Sequence, residues 1–355
     1  MSEYYIGLMS GTSLDGVDVA LCEICTLTCK RIAYLEFPFP STLKSEILHS
    51  IDSSISLAEL GIIDHKLGHL FADAINALIT KEKIDIQSIC AIGLHGQTVW
   101  HEPQGKFPFT MQLGDPNIVS LKTGISVVSD FRRANLAMGG QGAPFAPAFH
   151  QFMFANSPKT AVLNIGGMAN ITILADELIG YDTGPGNVLM DYWIQHQKNL
   201  PFDKEGAWAE SGIVDTALVS KMLEEPYFAL AYPKSTGREL FNASWLQKQI
   251  EGLNLKPEDI QATLLSLSVQ SIAQELQSFD IEQLIICGGG GKNSYLLDSL
   301  RRALPKLKIQ VDELGDALEA MAFAWLAYKR VHNEAVALKS VTGAREDTLL
   351  GGVYG

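Results

Sequence analysis

Two stretches of the chain share one pattern, and this repeat constrains the fold more than any other feature. In 4–22 and again in 161–174, two apolar runs flank a short turn of small residues. The first turn holds Ser10, Gly11, Thr12 and Ser13, and the second holds Gly166 and Gly167. Such a run predicts a β-hairpin, and the backbone N–H groups of its turn can hold an anion. We therefore predict two anion-binding hairpins.

A single carboxylate follows the second hairpin closely. The run 180–187 predicts a third strand with Asp182 at its end. A helix is expected to begin near Pro185, because proline is favoured at a first helical position and 188–194 continues with an apolar face. The predicted arrangement is an anion site with a carboxylate beside it.

A glycine-rich turn follows the buried strand predicted over 283–287. The run 288–294 is not a Walker A loop, because Ile286 and Asn293 stand where that loop has glycine and Ser or Thr. It also lacks the third glycine of the dinucleotide fingerprint. A strand, a glycine turn and a helix from near Asn293 remain. Adenine and ribose could lie directly against the backbone of Gly288, Gly289 and Gly290.

Length and composition limit the classes of protein and partner. A chain of 355 residues suits about two domains. Its 47% hydrophobic and 19% charged residues fit a soluble globular protein, and no apolar run approaches the ~18 residues of a membrane span. The first residues lack a secretory signal, which indicates the cytoplasm. A net charge of -13 disfavours nucleic acid and anionic lipid, so bound phosphate would need local donors and metal.

Charged residues near the predicted turns give further candidates. Asp15 and Asp18 could hold Mg²⁺ through water, although an ordinary Asp-Gly hairpin remains the alternative. Polar side chains in 95–102 follow a predicted strand, where open α/β sheets bind ligands. One of Arg132 and Arg133 is expected to face a carboxylate or phosphate, with a structural ion pair as the alternative.

Two metal-like patterns are interpreted as structural. Cys22, Cys25 and Cys29 include a Cys-x-x-Cys spacing, but no second pair completes a zinc site. His65 and His69 lie four residues apart, yet Lys66 stands where a zincin has its glutamate. We interpret the cysteines as structural thiols and the histidines as a surface helix pair.

The chain thus contains two similar halves, each opened by a hairpin, with a glycine turn late in the second. This order resembles the superfamily of sugar kinases, actin and heat-shock chaperone ATPases. Within it, the motifs are similar to the anhydro-N-acetylmuramic acid kinase family almost from end to end. The resemblance rests on Gly7–Asp18, Leu94–Thr98, Gln112–Asp115, Asp130–Arg132, Asn164–Asn170, Asp182–Asn187, Lys234–Glu239 and Cys287–Gly290.

The resemblance implies an α/β fold of two RNase H-like domains with an active-site cleft between them. The first lobe would be 1–132 plus 318–355, and the second 133–317. The implied enzyme uses ATP, Mg²⁺ and water to convert 1,6-anhydro-N-acetylmuramic acid into N-acetylmuramic acid 6-phosphate and ADP, in bacterial peptidoglycan recycling. Its only implied ligands are small molecules, and the resemblance also allows a homodimer.

The resemblance also assigns roles to residues. Asp182 would be the base that activates water, because a carboxylate opposite the leaving group is the usual one. Thr98, Arg132 and Glu319 would contact the sugar, with Arg132 suited to the lactyl carboxylate. The residues expected to bind ATP are Gly11, Thr12, Ser13, Asp15, Gly16, Asp18, Asn164, Gly166, Gly167, Gly288, Gly289 and Gly290.

Two other functions are compatible with these residues. A different sugar or acyl kinase would use Asp182 to deprotonate a substrate hydroxyl, without hydrolysis. A chaperone-like or filament-forming ATPase is disfavoured, because little chain follows the second half and because 130–133 and 235–239 add polar pocket loops.

Overall fold

A computed structural model describes residues 2–11, 14, 16–154, 159–175, 178–315 and 317–355, except the side chain of Asp52. The chain divides into two compact units. Unit 1 comprises Met1–Met153 with Asp316–Gly355, and unit 2 comprises Phe154–Gly315. Residues 133–153, which the prediction gave to the second lobe, thus lie in unit 1. None of the helices in the described part of the chain is long and apolar enough to cross a membrane.

The first part of unit 1 alternates strands and helices. Elements are numbered in chain order. The strands are β1 (Glu3–Ser10), β2 (Gly16–Ile24), β3 (Cys29–Pro38), β4 (Ile89–Leu94), β5 (Gln97–Glu102), β6 (Phe109–Leu113) and β7 (Val127–Ser129). The helices are α1 (Ser41–Asp52), α2 (Leu57–Glu82), α3 (Pro116–Thr123), α4 (Phe131–Ala137) and α5 (Ala146–Phe154).

Unit 2 follows as one continuous segment. Its strands are β8 (Thr160–Ile165), β9 (Met168–Leu174), β10 (Ile179–Pro185), β11 (Gln283–Cys287) and β12 (Lys308–Val311). Its helices are α6 (Val188–Lys198), α7 (Ala207–Glu210), α8 (Thr216–Leu223), α9 (Ala243–Ile250), α10 (Pro257–Leu276) and α11 (Ser294–Ala303). The chain then returns to unit 1 with α12 (Ala317–Val331), α13 (Lys339–Thr342) and β13 (Gly352–Tyr354).

The two main sheets have the same topology. In unit 1 the order is β13-β7-β4-β1-β2-β3, and in unit 2 it is β10-β9-β8-β11-β12. In each, three antiparallel strands are followed across the sheet by two parallel ones. This is the strand order of an RNase H-like domain, with β13 added at the edge of unit 1. The predicted α/β fold of two RNase H-like domains is confirmed.

Two glycines let α12 lie directly on the sheet of unit 1. A Cβ on Gly7 of β1 would overlap the Ala320 carbonyl, and a Cβ on Gly93 of β4 would overlap that of Phe323. Both glycines are therefore required by packing. Nearly all of α12 is buried, which explains its run of alanine and aromatic residues.

Each unit has its own apolar core. Among the described residues, the fully buried core of unit 2 comes from between Ala161 and Leu304, including Trp193, Phe241 and Leu264. In unit 1, β1, β2 and β4 pack with α2 around Phe71. The apolar residues of the sequence patterns that predicted both hairpins thus face inward, into these cores.

The two metal-like patterns lie in the β2–β3 pair and on α2. Cys25 lies in the β2–β3 turn, Cys22 in β2 and Cys29 at the start of β3, and all three are free thiols. His65 and His69 lie on the surface of α2, with their Nε2 atoms 3.2 Å apart. Among the described residues, no group of three or more His, Cys, Asp or Glu side chains is arranged to hold a metal ion.

Candidate active site

The predicted anion-binding turn of unit 2 lies next to the glycine turn after β11. β8 and β11 are parallel neighbours, with Asn164 opposite Cys287. A Cβ on Gly288 would overlap Asn164 Oδ1. The structure therefore brings two of the segments predicted to bind ATP to one edge of the unit 2 sheet, although they are more than a hundred positions apart in sequence.

The glycines in these turns fall into two groups. Gly288 has a φ of +79°, and a Cβ on Gly290 would overlap Ile165, so the fold itself requires both. At Gly166, Gly167 and Gly289 an added Cβ would meet no atom closer than 3.6 Å, and none of the three has a left-handed φ. Since the fold does not require these three glycines, their missing side chains leave backbone open to a ligand.

The start of α6 holds the β8–β9 turn in place. The carbonyl of Gly167 accepts hydrogen bonds from the N–H groups of Gly186 (2.9 Å) and Val188 (3.0 Å). That of Gly166 accepts one from Asn187 (2.8 Å). The Gly167 N–H has no backbone acceptor among the described residues. The turn is thus fixed through its carbonyls, and this N–H stays available as a donor.

Asp182 lies in the middle of β10 rather than at its end, so the prediction was wrong on this point. Pro185 is the last residue of that strand, and α6 begins only at Val188. The pairing with β9 shifts register after Asp182. The helix begins later than Pro185 indicated, because Gly186 and Asn187 first donate hydrogen bonds to the neighbouring β8–β9 turn.

The loop after Pro233 surrounds the Asp182 carboxylate. Its Oδ2 accepts hydrogen bonds from the Ser235 hydroxyl (2.9 Å) and the Thr236 backbone N–H (3.0 Å). Oδ1 has no donor among the described residues. Burial raises the pKa of Asp182, the two hydrogen bonds lower it, and nearby Glu239 raises it again, so that the net shift is upward. The site thus holds an oriented carboxylate that is more basic than an aspartate in water.

A buried ion pair supports this loop. Lys234, with a 2% exposed side chain, donates to Glu275 Oε1 on α10 at 2.7 Å. Tyr181 donates to the other Glu275 oxygen at 2.9 Å. Lys234 also accepts the Asp182 N–H through its carbonyl, at 3.1 Å. The polar pocket loop 235–239 was predicted, but this link was missed, because no local pattern connects Glu275 to Asp182.

The described part of the β1–β2 turn is anchored to β5. Ser10 donates its hydroxyl to Gln97 at 2.6 Å, and the Leu14 N–H bonds the Gly11 carbonyl at 3.2 Å. Thr12, Ser13 and Asp15, which were predicted to bind ATP, lie outside the described residues. The segment thus forms the predicted hairpin, whereas its ligand contacts stay a prediction.

Gly16 and Asp18 lie at the start of β2. A Cβ on Gly16 would come within 3.0 Å of the Glu36 side chain, so local packing already favours glycine there. Asp18 accepts a short hydrogen bond from the Tyr34 hydroxyl across the β2–β3 pair. This bond orients the Asp18 carboxylate, and a carboxylate is a ligand type that Mg²⁺ prefers.

Arg132 forms the centre of a second polar cluster, within unit 1. Its Nε and Nη2 lie 3.2 and 2.9 Å from His95 Nε2, and its Nη1 donates to the Gly142 carbonyl at 3.2 Å. Burial lowers the pKa of Arg132 to about 10, against the opposing effect of Glu319. Arg133 instead forms an exposed ion pair with Asp130 at 2.8 Å. Of the two alternatives for these arginines, the structural ion pair applies to Arg133.

Thr98 connects to the same cluster through the β5–β6 pair. Gln112 donates to both Thr98 (3.2 Å) and Thr110 (2.7 Å), and Thr110 lies 3.0 Å from the His101 ring. Burial, followed by the charge of Arg132, lowers the pKa of His101 to about 4. Of the predicted sugar contacts, Glu319 thus acts on Arg132 through its charge, whereas Thr98 is linked to His101 through Gln112 and Thr110. The roles of His95 and His101 were missed, although the polar segment that contains them was noticed.

Comparison with known proteins identifies the family. The family model described as "Anhydro-N-acetylmuramic acid kinase" matches residues 3–355. Proteins curated under that name are similar along their whole length. One from Sulfurovum sp. is 56% identical, with 99% of each chain covered, and one from Sulfurimonas denitrificans is 52% identical, with 100% of each covered. One from Vibrio cholerae is 47% identical over 99% of this chain and 98% of its own. The chain therefore belongs to the anhydro-N-acetylmuramic acid kinase family.

Proposed function

We propose that the protein uses ATP and water to convert 1,6-anhydro-N-acetylmuramic acid into N-acetylmuramic acid 6-phosphate and ADP, as a step of peptidoglycan recycling. Family membership gives the reaction class. The observation that carries the proposed chemistry is the Asp182 carboxylate, which is oriented by Ser235 and Thr236 and has a raised pKa. This is the state that a general base requires.

The proposed step begins with water attacking the anomeric carbon. Oδ1 of Asp182 takes the proton, since Oδ2 is already engaged by two donors. The bond from the anomeric carbon to the bridging O6 breaks, and O6 takes the γ-phosphoryl group while ADP leaves. One water is consumed, one proton is released and one P–O bond is exchanged for another. A base on the face opposite the leaving oxygen is the arrangement that glycoside hydrolysis with inversion uses.

We assign ATP binding to the glycine turns. In unit 2, Gly166 and Gly167 would contact phosphate and Gly289 the adenosine, because packing does not require glycine at these positions and the Gly167 N–H is an available donor. In unit 1, the same role is proposed for Gly11, Thr12 and Ser13. Asn164, Gly16, Gly288 and Gly290 would shape these turns rather than contact the nucleotide through a side chain.

Mg²⁺ would neutralise phosphate charge when bound with ATP. Asp18 fits this group, because its carboxylate is oriented by Tyr34, and Mg²⁺ commonly takes one or two protein carboxylates with water and phosphate oxygens. Asp15 is the second proposed ligand. We also propose that the protein is cytoplasmic, where ATP is available, and that it can form a homodimer.

Sugar contacts are assigned to the polar cluster of unit 1. Arg132 would bind the lactyl carboxylate, because its guanidinium keeps free N–H groups that match a carboxylate. Thr98 would donate or accept at a sugar hydroxyl, and Glu319 would accept from one. Each of these three contacts can be removed without touching Asp182.

Product analysis in ¹⁸O water tests the proposal. The protein is incubated with Mg-ATP and either 1,6-anhydro-N-acetylmuramic acid or ordinary amino sugars, and the products are followed early by mass spectrometry. We expect one ¹⁸O at the anomeric position, none in phosphate, and turnover of the anhydro sugar only. Phosphorylation of ordinary sugars without ¹⁸O incorporation would instead identify a simple kinase that uses Asp182 on a hydroxyl.

A further inference from the structure

His95 holds one side of the Arg132 guanidinium. Arginine has five N–H groups and no acceptor. Nε–H and one Nη2–H are directed to His95 Nε2, and one Nη1–H is directed to the Gly142 carbonyl. The Phe145 ring lies 5.6 Å from the guanidinium carbon. One N–H on each terminal nitrogen remains, and such N–H groups can donate to a carboxylate.

These contacts determine the protonation state of His95. Because arginine only donates, both bonds require a lone pair on His95 Nε2, so the ring must be neutral with its proton on Nδ1. The side chain is only 3% exposed. Burial, followed by the positive charge of Arg132, lowers the pKa of His95 well below its ordinary value. The imidazole therefore remains a hydrogen-bond acceptor at every pH at which the protein is expected to work.

Because His95 is a neutral acceptor, it orients Arg132 without cancelling the positive charge of the guanidinium. Carboxylates are the common partners of arginine, and one in direct contact would cancel its charge. No carboxylate lies within ion-pair distance of Arg132 among the described residues, and Glu319 acts on it only electrostatically. His95 itself is fixed after β4, with its ring 4.7 Å from that of Phe323 on α12. Arg132 is thus oriented by a rigid partner that leaves its positive charge available.

We propose that His95 determines specificity for an acidic sugar, by positioning Arg132 so that its remaining terminal N–H groups meet the substrate carboxylate. This rests on the proposed function, in which Arg132 binds the lactyl group. His95 is a positioning residue, since it acts through Arg132 and does not itself contact the sugar. Without it, the guanidinium would keep its charge but lose its fixed orientation.

Two substitutions of His95 test the proposal. His95→Phe keeps a ring against Phe323 but removes the acceptor, whereas His95→Gln keeps an acceptor oxygen near the position of Nε2. The full-length enzyme is assayed with 1,6-anhydro-N-acetylmuramic acid, and 1,6-anhydro-N-acetylglucosamine, which lacks the lactyl group, serves as a competing ligand. For His95→Phe, we expect KM for the acidic sugar to rise roughly 10- to 100-fold, the size expected for a bidentate bond to a charge.

The comparison of the two sugars separates positioning from a general structural role. Inhibition by the lactyl-free sugar should change less than about threefold in His95→Phe, since no bond to a charge is lost there. His95→Gln should restore most of the preference. Equal weakening of both sugars, or a preference that His95→Phe leaves intact, would overturn the proposal.

Arg132→Ala separates this inference from the proposed function. If Arg132→Ala abolishes the preference while His95→Phe leaves it intact, only the role of His95 fails. If Arg132→Ala also leaves it intact, Arg132 is not the carboxylate site and both assignments fail. Should His95→Phe not fold, ¹⁵N NMR of histidine-labelled enzyme decides. An unprotonated Nε2 from pH 6 to 8 is expected, and a protonated ring would contradict the proposal.

Discussion

Asp182 is a carboxylate that the fold both orients and makes more basic. Burial favours the protonated form, and two donors on Oδ2 limit that effect without reversing it. The same residues that fix the side chain therefore also tune its proton affinity. A carboxylate in this state can take a proton from water in a reaction, but its burial in the charged form destabilises the folded protein.

The kinetic prediction at this residue concerns Asp182→Asn. The amide keeps the shape of the side chain but does not take a proton, so turnover should fall about 10²- to 10⁴-fold. The loss should appear in kcat rather than in KM for the sugar. Steady-state kinetics measures it, with Ser220→Ala on the exposed face of α8 as a control that should behave as wild type. Turnover within about tenfold of wild type would place the base elsewhere.

The same substitution should change stability in a pH-dependent way. The folded-state pKa of Asp182 is raised, so its contribution to stability is fully present below the unfolded pKa and is lost as pH rises through the folded value. At neutral pH, Asp182→Asn should therefore be at least as stable as wild type, and this advantage should shrink toward pH about 4, the ordinary aspartate range. Urea unfolding between pH 4 and 8 measures the difference. An advantage that grows as the pH falls would contradict the assignment.

At the scale of elements, the glycines of the turns differ. Packing requires glycine at some positions, and at others its missing side chain leaves space for a ligand. Gly290 is required because Ile165 occupies the space of its Cβ, whereas Gly167 borders only Val188, at 3.9 Å. Both were predicted to bind ATP, Gly167 in a phosphate turn and Gly290 in the adenosine turn. Packing separates them, and the separation gives two opposite mutational phenotypes.

Gly167→Val and Gly290→Val form a matched pair. Gly167→Val should fold with stability near wild type but lose ATP binding, because the added side chain covers the open N–H groups. Gly290→Val should lose about 1 to 3 kcal/mol of stability or more, as overpacking does. Thermal unfolding and ATP titration by calorimetry measure the two effects. Normal ATP affinity in folded Gly167→Val would remove the assignment of this turn to phosphate.

Sequence patterns predicted the hairpins well because alternation and turn chemistry are local properties. The strand and turn around 161–174 and the glycine turn at 288–290 follow from neighbours in the chain. The support of Asp182 by Ser235 and, through Lys234, by Glu275 could not be predicted, since Ser235 lies 53 residues from Asp182 and Glu275 lies 41 residues from Lys234. Pro185 was also misinterpreted, because the hydrogen bonds that precede the start of α6 are made to the β8–β9 turn, earlier in the chain.

At the scale of the whole molecule, the two units differ in how the chain builds them. Unit 2 is one continuous segment, and the described residues of its core all belong to that segment. Unit 1 is made of two segments, and α12 from the second covers β1 and β4 of the first through Gly7 and Gly93. The same sheet topology is thus reached by a continuous chain in one unit and by a returning chain in the other.

This difference predicts the behaviour of fragments. A fragment of residues 154–315 should fold with a cooperative thermal transition, because it contains a complete core. A fragment of residues 1–153 should not, because its sheet lacks the helix that covers it. Circular dichroism and NMR dispersion distinguish the two outcomes. Cooperative folding of 1–153 alone would show that α12 is dispensable for unit 1.

The close packing of α12 on Gly7 and Gly93 also affects how the protein folds during its synthesis. Ribosomes deliver the chain from the amino end, so β1 and β4 emerge long before the helix that covers them, and unit 2 can finish folding in the meantime. The apolar face of the first sheet must wait for translation to reach Val331. A nascent chain released earlier would keep that face open to other chains, which makes premature termination an aggregation hazard rather than a mere loss of enzyme.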